Sequence, residues 1–207
     1  MLFSIILTKS KKRTVKCIMM RIITGKARGI KLKTLEDNAT RPTSERAKEA
    51  IFSMLQFDIE GRNVLDLFGG SGQLGLEAAS RGALQVTIVD RSSDAVKIID
   101  QNVSTTKLGD VCRVVCSDWN RFLISVEGDK FDIIFIDPPY MMHLVPSVLG
   151  SLIKFKNLKL HSIIVCESQE EDIFEGHEDL RYKFDIMKKA KYGISHMTIL
   201  KLHEYDV

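Results

Sequence analysis

The chain has 207 residues, 44% of them hydrophobic and 28% charged, which suits an α/β protein with a sizeable core and excludes low-complexity and fibrous classes. No apolar run approaches membrane-spanning length, and the apolar residues 1–7 precede their charges instead of following them, against a secretion signal; a cytoplasmic protein without a membrane partner is expected. The net charge of +3 hides an asymmetry, because residues 1–35 hold ten Lys or Arg and no acid, while the other 20 basic residues share the chain with all 27 acids, the pattern of a basic arm for a polyanion on an acidic body.

Residues 1–19 show no period and read as a flexible basic leader, dispensable ahead of a working start at Met20. In 20–32, Gly25 and Gly29 punctuate a hairpin or short strands, and Lys26, Arg28, Lys31 and Lys33 around them are expected to meet phosphates. The run Thr40-Arg41-Pro42-Thr43-Ser44-Glu45-Arg46 leads into a helix. Thr43 or Ser44 would cap it, and Ala47, Ala50, Ile51, Met54 and Leu55 recur at helical spacing.

From Arg62 onward the pattern alternates. Strands are expected at 63–68, 85–90, 112–116, 131–136 and 162–167. Helices are expected at 73–81, 94–103 (Ala95, Ile98, Ile99 and Val103 inward), 119–126 and 144–155. Such alternation implies a doubly wound, mostly parallel α/β sheet. Residues 167–179, with seven acids and no Lys or Arg, read as a solvated connection. The segments 180–189 and 194–202 lack an intervening helix and are expected to add an antiparallel pair, making seven strands. Cys17, Cys112, Cys116 and Cys166 have no zinc-like spacing; reduced core thiols and no metal site are expected.

Two loops carry chemistry. In Val64-Leu65-Asp66-Leu67-Phe68-Gly69-Gly70-Ser71-Gly72-Gln73-Leu74-Gly75, Gly70, Gly72 and Gly75 match the dinucleotide pattern, so a nicotinamide or flavin enzyme is one reading. Asp66 weighs against it by ending the strand with a carboxylate where a pyrophosphate would sit, and Gly69 lengthens the loop. The ammonium of a methionine moiety suits Asp66 better. Asp90 would then accept from two ribose hydroxyls and Asp118 from an adenine amino group, with Arg91 and Trp119 offering faces to the ring and Phe68, Gly69, Gly70 and Gly72 lining the loop. Each acid alone is an ordinary helix cap; three at successive strand ends point to S-adenosylmethionine.

The second loop is Asp137-Pro138-Pro139-Tyr140, at the carboxyl end of the apolar run 131–136. The prolines fix two φ angles and donate no N–H, so nearby carbonyls lack ladder partners. The Asp137 carboxylate and the Pro138 carbonyl suit the two N–H bonds of an exocyclic amino group, and Tyr140 can stack on the base that carries it. A plain Pro-Pro turn is the bland alternative. His143, close by, reads as a surface residue.

Asp66-Leu67-Phe68-Gly69-Gly70-Ser71-Gly72 with Asp137-Pro138-Pro139-Tyr140 resembles the amino-directed branch of the Rossmann-like methyltransferases. Within that branch, Arg21-Ile22-Ile23-x-Gly25, Arg28-Gly29, Arg41-Pro42-Thr43-Ser44-x-Arg46, Gly75-Leu76-Glu77-Ala78, Arg81-Gly82-Ala83 and Tyr192-Gly193 resemble the bacterial small-subunit ribosomal RNA guanine-N2 methyltransferases. The resemblance runs from Met20 almost to the C-terminus. It implies one methyltransferase domain over 20–207, with an RNA-contacting extension at 20–43 and a Rossmann-like core at 44–207. It further implies methyl transfer from S-adenosylmethionine to the exocyclic N2 of a guanine in 16S ribosomal RNA, naked or within the small subunit. The enzyme would be a monomer needing no metal, with Asp137, Pro138 and Tyr140 catalytic and Lys26, Arg28, Lys31, Lys33 and Arg41 on RNA. The leader before Met20 and the acid at Asp90, which varies among relatives, are departures. Three alternatives are weaker. A DNA adenine or cytosine amino methyltransferase shares the corner but commonly carries a recognition region that this length leaves little room for. A protein glutamine methyltransferase typically has Asn in place of Asp137. A non-catalytic RNA-binding assembly factor would not need both loops intact.

Overall fold

The computed structural model describes residues 20–34, 45–139 and 143–203. The expected leader, Arg41, the capping residues Thr43 and Ser44, Cys17 and Tyr140 lie outside these.

Seven strands form one mixed sheet: β1 (Asn63–Asp66), β2 (Gln85–Asp90), β3 (Cys112–Cys116), β4 (Phe131–Ile136), β5 (Leu158–Ser168), β6 (Phe184–Tyr192) and β7 (Ser195–Leu202). Their order is β3-β2-β1-β4-β5-β7-β6. The first five are parallel, and β7 runs antiparallel between β5 and β6. The helices are α1 (Glu45–Met54), α2 (Gln73–Ser80), α3 (Ser93–Thr106), α4 (Trp119–Ser125), α5 (Val145–Lys154) and α6 (Glu178–Arg181).

Helices cover the sheet on both faces, so the central strands read as unbroken apolar runs. Along β4, Ile133 and Phe135 face a core with Ile51 and Phe52 of α1, Leu74 and Leu76 of α2 and Ile99 of α3. Ile134 and Ile136 face the other core, with Phe122 and Leu123 of α4 and Val148, Leu149 and Leu152 of α5. The chain steps from β1 to β2 to β3 in one direction and then crosses to β4 on the far side of β1. That reversal opens a crevice at the carboxyl ends of β1 and β4, where sheets of this kind bind ligands.

Several expected boundaries shift. β1 ends at Asp66, two residues before the anticipated Phe68, because the glycine loop departs from there. α3 continues to Thr106, and Ile98 and Val103 are only half-buried. On α1, Ala50 and Met54 are half-buried, while Lys48 and Phe52 are 1% and 0% exposed. β5 starts at Leu158, with a register shift opposite β4 between Phe131 and Ile133, and α6 lies where only a connection and the opening of a strand were expected. Cys116 is exposed at the end of β3, not a core thiol, whereas Cys166 is buried. Burial pushes the half-buried Cys112 thiol up to about 12, as expected of an inert packing sulfur.

Candidate active site

The glycine loop is held from below and from the side. Leu67 continues β1 by one bond, its N–H donating to Phe135 O at 3.1 Å, and Gly69 N–H then reaches across to Val89 O at 2.8 Å. Gly69 has no room for a side chain, since a Cβ there would lie 2.6 Å from Ile88 Cγ2; one on Gly75 would lie 2.7 Å from Ile88 Cγ1. Those two glycines therefore serve the packing of loop and α2 against β2. Gly70 and Gly72 have φ of 56° and 79°, which a residue with a Cβ adopts at a cost. Nothing lies within 4 Å of the position a Gly70 Cβ would take, so this glycine presents bare backbone to open space.

Asp66 is 1% exposed. Its Oδ2 accepts from Gly75 N–H at 2.9 Å, tying the start of α2 to the end of β1. Asp90, on the neighbouring strand, accepts from Gly70 N–H through Oδ2 and from Ser92 N–H through Oδ1, both at 2.8 Å. Asp118 is the N-cap of α4: its Oδ1 accepts from Asn120 and Arg121 N–H at 3.0 and 3.3 Å. Asp118 is exposed, and Ser117 N–H donates to Asp90 O at 2.9 Å, so the loops after β2 and β3 are adjacent. Arg91 is exposed; Phe68 and Trp119 are half-buried and lean on the second core. All three acids thus have backbone duties as well as any ligand to serve.

Asp137 follows β4 directly. Asp66 is level with Phe135 across the β1–β4 pair, so Asp137 stands two residues further up the same edge, beside the glycine loop. It is half-buried, Pro138 is buried and Pro139 is exposed. The four strand ends therefore line one edge in the order Asp118, Asp90, Asp66 and Asp137. A cavity of about 510 Å³ opens at the opposite edge, beside Arg62 and Asp132, and is separate from these loops.

The basic segment is a hairpin, with Arg21 bridged antiparallel to Lys31 and Gly25 and Gly29 in the left-handed region. It packs along α2. Glu77, 0% exposed, accepts from Ile23 and Thr24 N–H at 2.7 and 3.0 Å, and Ser80 Oγ accepts from Ala27 N–H at 2.9 Å. A Cβ on Gly25 would sit 1.9 Å from Ser80 O, so only glycine permits this approach. Glu77 also meets Arg81 Nε at 2.8 Å and Lys48 Nζ at 3.8 Å, and Lys48 Nζ donates to Arg21 O at 2.6 Å. Lys26, Arg28, Lys31 and Lys33 are all exposed, but they are not equally placed. Lys33 is at the glycine-loop end, whereas Lys26 is held by Ser80 O at the far end of α2, about 11 Å along its axis. Lys48, Ser80 and Asn102, which dock the hairpin, were not anticipated. Glu77 figured only within a motif, although a glutamate inside the inward-facing helix QLGLEAAS was a visible signal.

Burial raises the Asp66 carboxyl to about 7, with the Asp90 charge adding to the effect and the bonds from Gly75 and Phe68 N–H opposing it. An unfolded Asp titrates near 3.9. Between those values the folded chain keeps a proton that the unfolded chain has released, so stability falls as pH rises from about 4 to about 7. Asp66→Asn should remove that slope. The wild-type minus variant stability, followed by urea unfolding, is expected to fall by on the order of 4 kcal/mol across this window. A flat difference would mean that the buried carboxyl does not titrate there.

Comparison with known proteins agrees with this architecture. Ribosomal RNA small subunit methyltransferase D of Escherichia coli (strain K12) is 35% identical over 153 residues, covering 74% of this chain and 76% of that protein. YlbH of Bacillus subtilis (strain 168), provisionally named an rRNA methyltransferase, is 34% identical over 185 residues, 88% of this chain and 98% of its own. Among solved structures, Escherichia coli yhhF, provisionally named a methyltransferase, superposes with a TM-score of 0.77 at 29% identity, covering 89% of this chain and 98% of that one. The fold is the Rossmann-like α/β fold of these methyltransferases. A family model matches residues 20–201, and the chain belongs to that family, described as Conserved hypothetical protein 95.

Proposed function

We propose that the protein is an S-adenosylmethionine-dependent methyltransferase acting on the exocyclic N2 amino group of a guanine in small-subunit ribosomal RNA. The observation that carries the reading is the Asp137-Pro138 corner, one residue past β4 and beside the glycine loop at the reversal of the sheet. Relatives covering most of the chain and named as ribosomal RNA methyltransferases support the substrate class.

The residues fit the cofactor. Gly70 offers backbone without a side chain in the way, Asp90 stands on the adjacent strand for ribose hydroxyls, and Asp118 with Trp119 flanks the place for adenine. Asp66 would face the methionine ammonium, whose charge would draw its raised pKa back down. When bound, the cofactor supplies an electrophilic methyl group. The chain supplies orientation. A guanine N2 is a poor nucleophile because its lone pair is delocalised into the ring. Acceptance of its two N–H bonds by the Asp137 carboxylate and the Pro138 carbonyl favours a pyramidal nitrogen whose lone pair points at the methyl. The base must be unpaired or flipped out to reach this corner, and Tyr140 would then stack on it.

The test is transfer of labelled methyl to ribosomal RNA, to small ribosomal subunits and to duplex DNA, with the modified nucleoside identified by mass spectrometry. N2-methylguanine in RNA is the expected product; methyladenine or methylcytosine in DNA would overturn the reading. The hairpin gives a second expectation. Lys31→Gln with Lys33→Gln should lower the slope of log affinity against log salt by about 1.4–1.8, at roughly 0.7–0.9 per lost phosphate contact. Lys26→Gln with Arg28→Gln, at the far end of α2, should lower it less. Equal slopes in wild type and both variants would take the hairpin off the RNA.

A further inference from the structure

Asn102 on α3 is 1% exposed and lies outside the residues assigned to cofactor or RNA. Its side chain joins two segments that are far apart in sequence. Nδ2 donates to Ser71 O in the glycine loop at 2.8 Å and to Lys33 O at the end of the basic hairpin at 2.9 Å, while Oδ1 accepts from Lys33 N–H at 2.8 Å. The other end of the hairpin meets the glycine loop directly, Ser71 Oγ donating to Met20 Sδ at 3.5 Å. Both amide hydrogens and the carbonyl of one buried side chain are thus committed. A shift of either segment alone would leave a buried polar group without its partner, so the low-energy route is for the glycine loop and the hairpin end to move together.

We infer that Asn102 is a positioning residue that couples the glycine loop to the basic hairpin, so that filling the cofactor site orders the segment that meets RNA. This rests on the function proposed above. By linkage, RNA held on the hairpin would tighten cofactor binding by the same factor. Lys33 is the point of transmission, because its backbone is clamped by Asn102 while its exposed side chain extends toward solvent, with Nζ 2.9 Å from Gln101 Oε1.

Amide hydrogen exchange on the full chain, with and without saturating S-adenosylhomocysteine, tests the coupling. In the wild type, exchange should slow at Gly70 and Gly72 and also by about five- to tenfold at Leu32 and Lys33, within the usual range of coupling between sites. Asn102→Asp keeps the size and the acceptor for Lys33 N–H but loses both donors. It should retain protection at Gly70 and Gly72 and lose the ligand-induced protection at Leu32 and Lys33. Asn102→Ala provides the same comparison, and thermal melting checks that each variant is folded. A structural role alone would speed exchange at the hairpin with and without ligand and leave the ratio unchanged. The wild type needs no variant to decide the matter. Protection of the glycine loop without protection at Leu32 and Lys33 overturns the coupling. No protection anywhere overturns the cofactor assignment instead.

Discussion

Asp137→Ala should slow methyl transfer to ribosomal RNA by about 10²–10³-fold, the range seen when one preorganised polar partner of a reacting group is removed. Cofactor affinity should stay nearly unchanged, because the cofactor roles proposed above fall to Asp66 and Asp90, which bond to the start of α2 and to the glycine loop. Single-turnover transfer of labelled methyl, set beside calorimetry with S-adenosylhomocysteine, separates the two effects. Asp137→Asn is informative too. It keeps one acceptor oxygen for the single N–H assigned to this side chain but loses the negative charge, so it should fall between the wild type and the alanine variant. Turnover near the wild-type rate in the alanine variant would remove Asp137 from the chemistry. Loss of cofactor binding instead would move it into the cofactor site.

Glu77→Ala should be among the most damaging single changes to stability, costing about 3–5 kcal/mol, as expected when one partner of a buried ion pair is deleted. Lys48 is 1% exposed, and burial lowers its pKa while Glu77 opposes that shift. Without Glu77 an ammonium is left in the core, and Ile23 and Thr24 N–H lose their acceptor. Lys48→Met should be far cheaper, below about 1.5 kcal/mol, because it replaces the charge with an apolar chain of similar length. Glu77 then still has Arg81 at 2.8 Å. Urea midpoints for the two variants measure the contrast, and equal losses would mean that uncompensated charge is not the cause.

These two residues also mark what the sequence could and could not reveal. β2, β3 and β4 match the expected residues at both ends, because apolar runs bounded by turn chemistry are local signals. Asp66, Asp90, Asp118 and Asp137 were found for a related reason, since each sits at or just past a strand end whatever the helices do. Asp118 is the ordinary helix cap that each acid could have been, on α4. Harder to foresee were the backbone bonds of Asp66 and Asp90 and the close packing of Gly69 and Gly75 on Ile88 of the next strand. Lys48 and Asn102 left no trace in the sequence. A lysine and an asparagine on amphipathic helices read as solvent-facing, and only partners 27 to 69 residues away make them interior groups. The pairing of β6 with β7 is legible, since no helix pattern separates their segments. That β7 would insert beside β5, leaving β6 at the edge, depends on packing that no local pattern reports.

The docked hairpin has a consequence in time. Its bonds to α2 and α3 close gaps of 53 to 69 residues, and neither helix face exists until the strands beneath it have paired. The segment leaves the ribosome before the helices it docks on, and it has nowhere to rest until β1, α2, β2 and α3 are assembled. Closing so long a loop is slow compared with making a helix, although lengthening it further adds only about 0.6 kcal/mol per doubling. A chain caught midway through synthesis would therefore carry its basic residues loose, as a tethered cationic strand amid nascent and ribosomal RNA. Docking on Glu77 and Ser80 would then fix where those charges stand while leaving their side chains exposed.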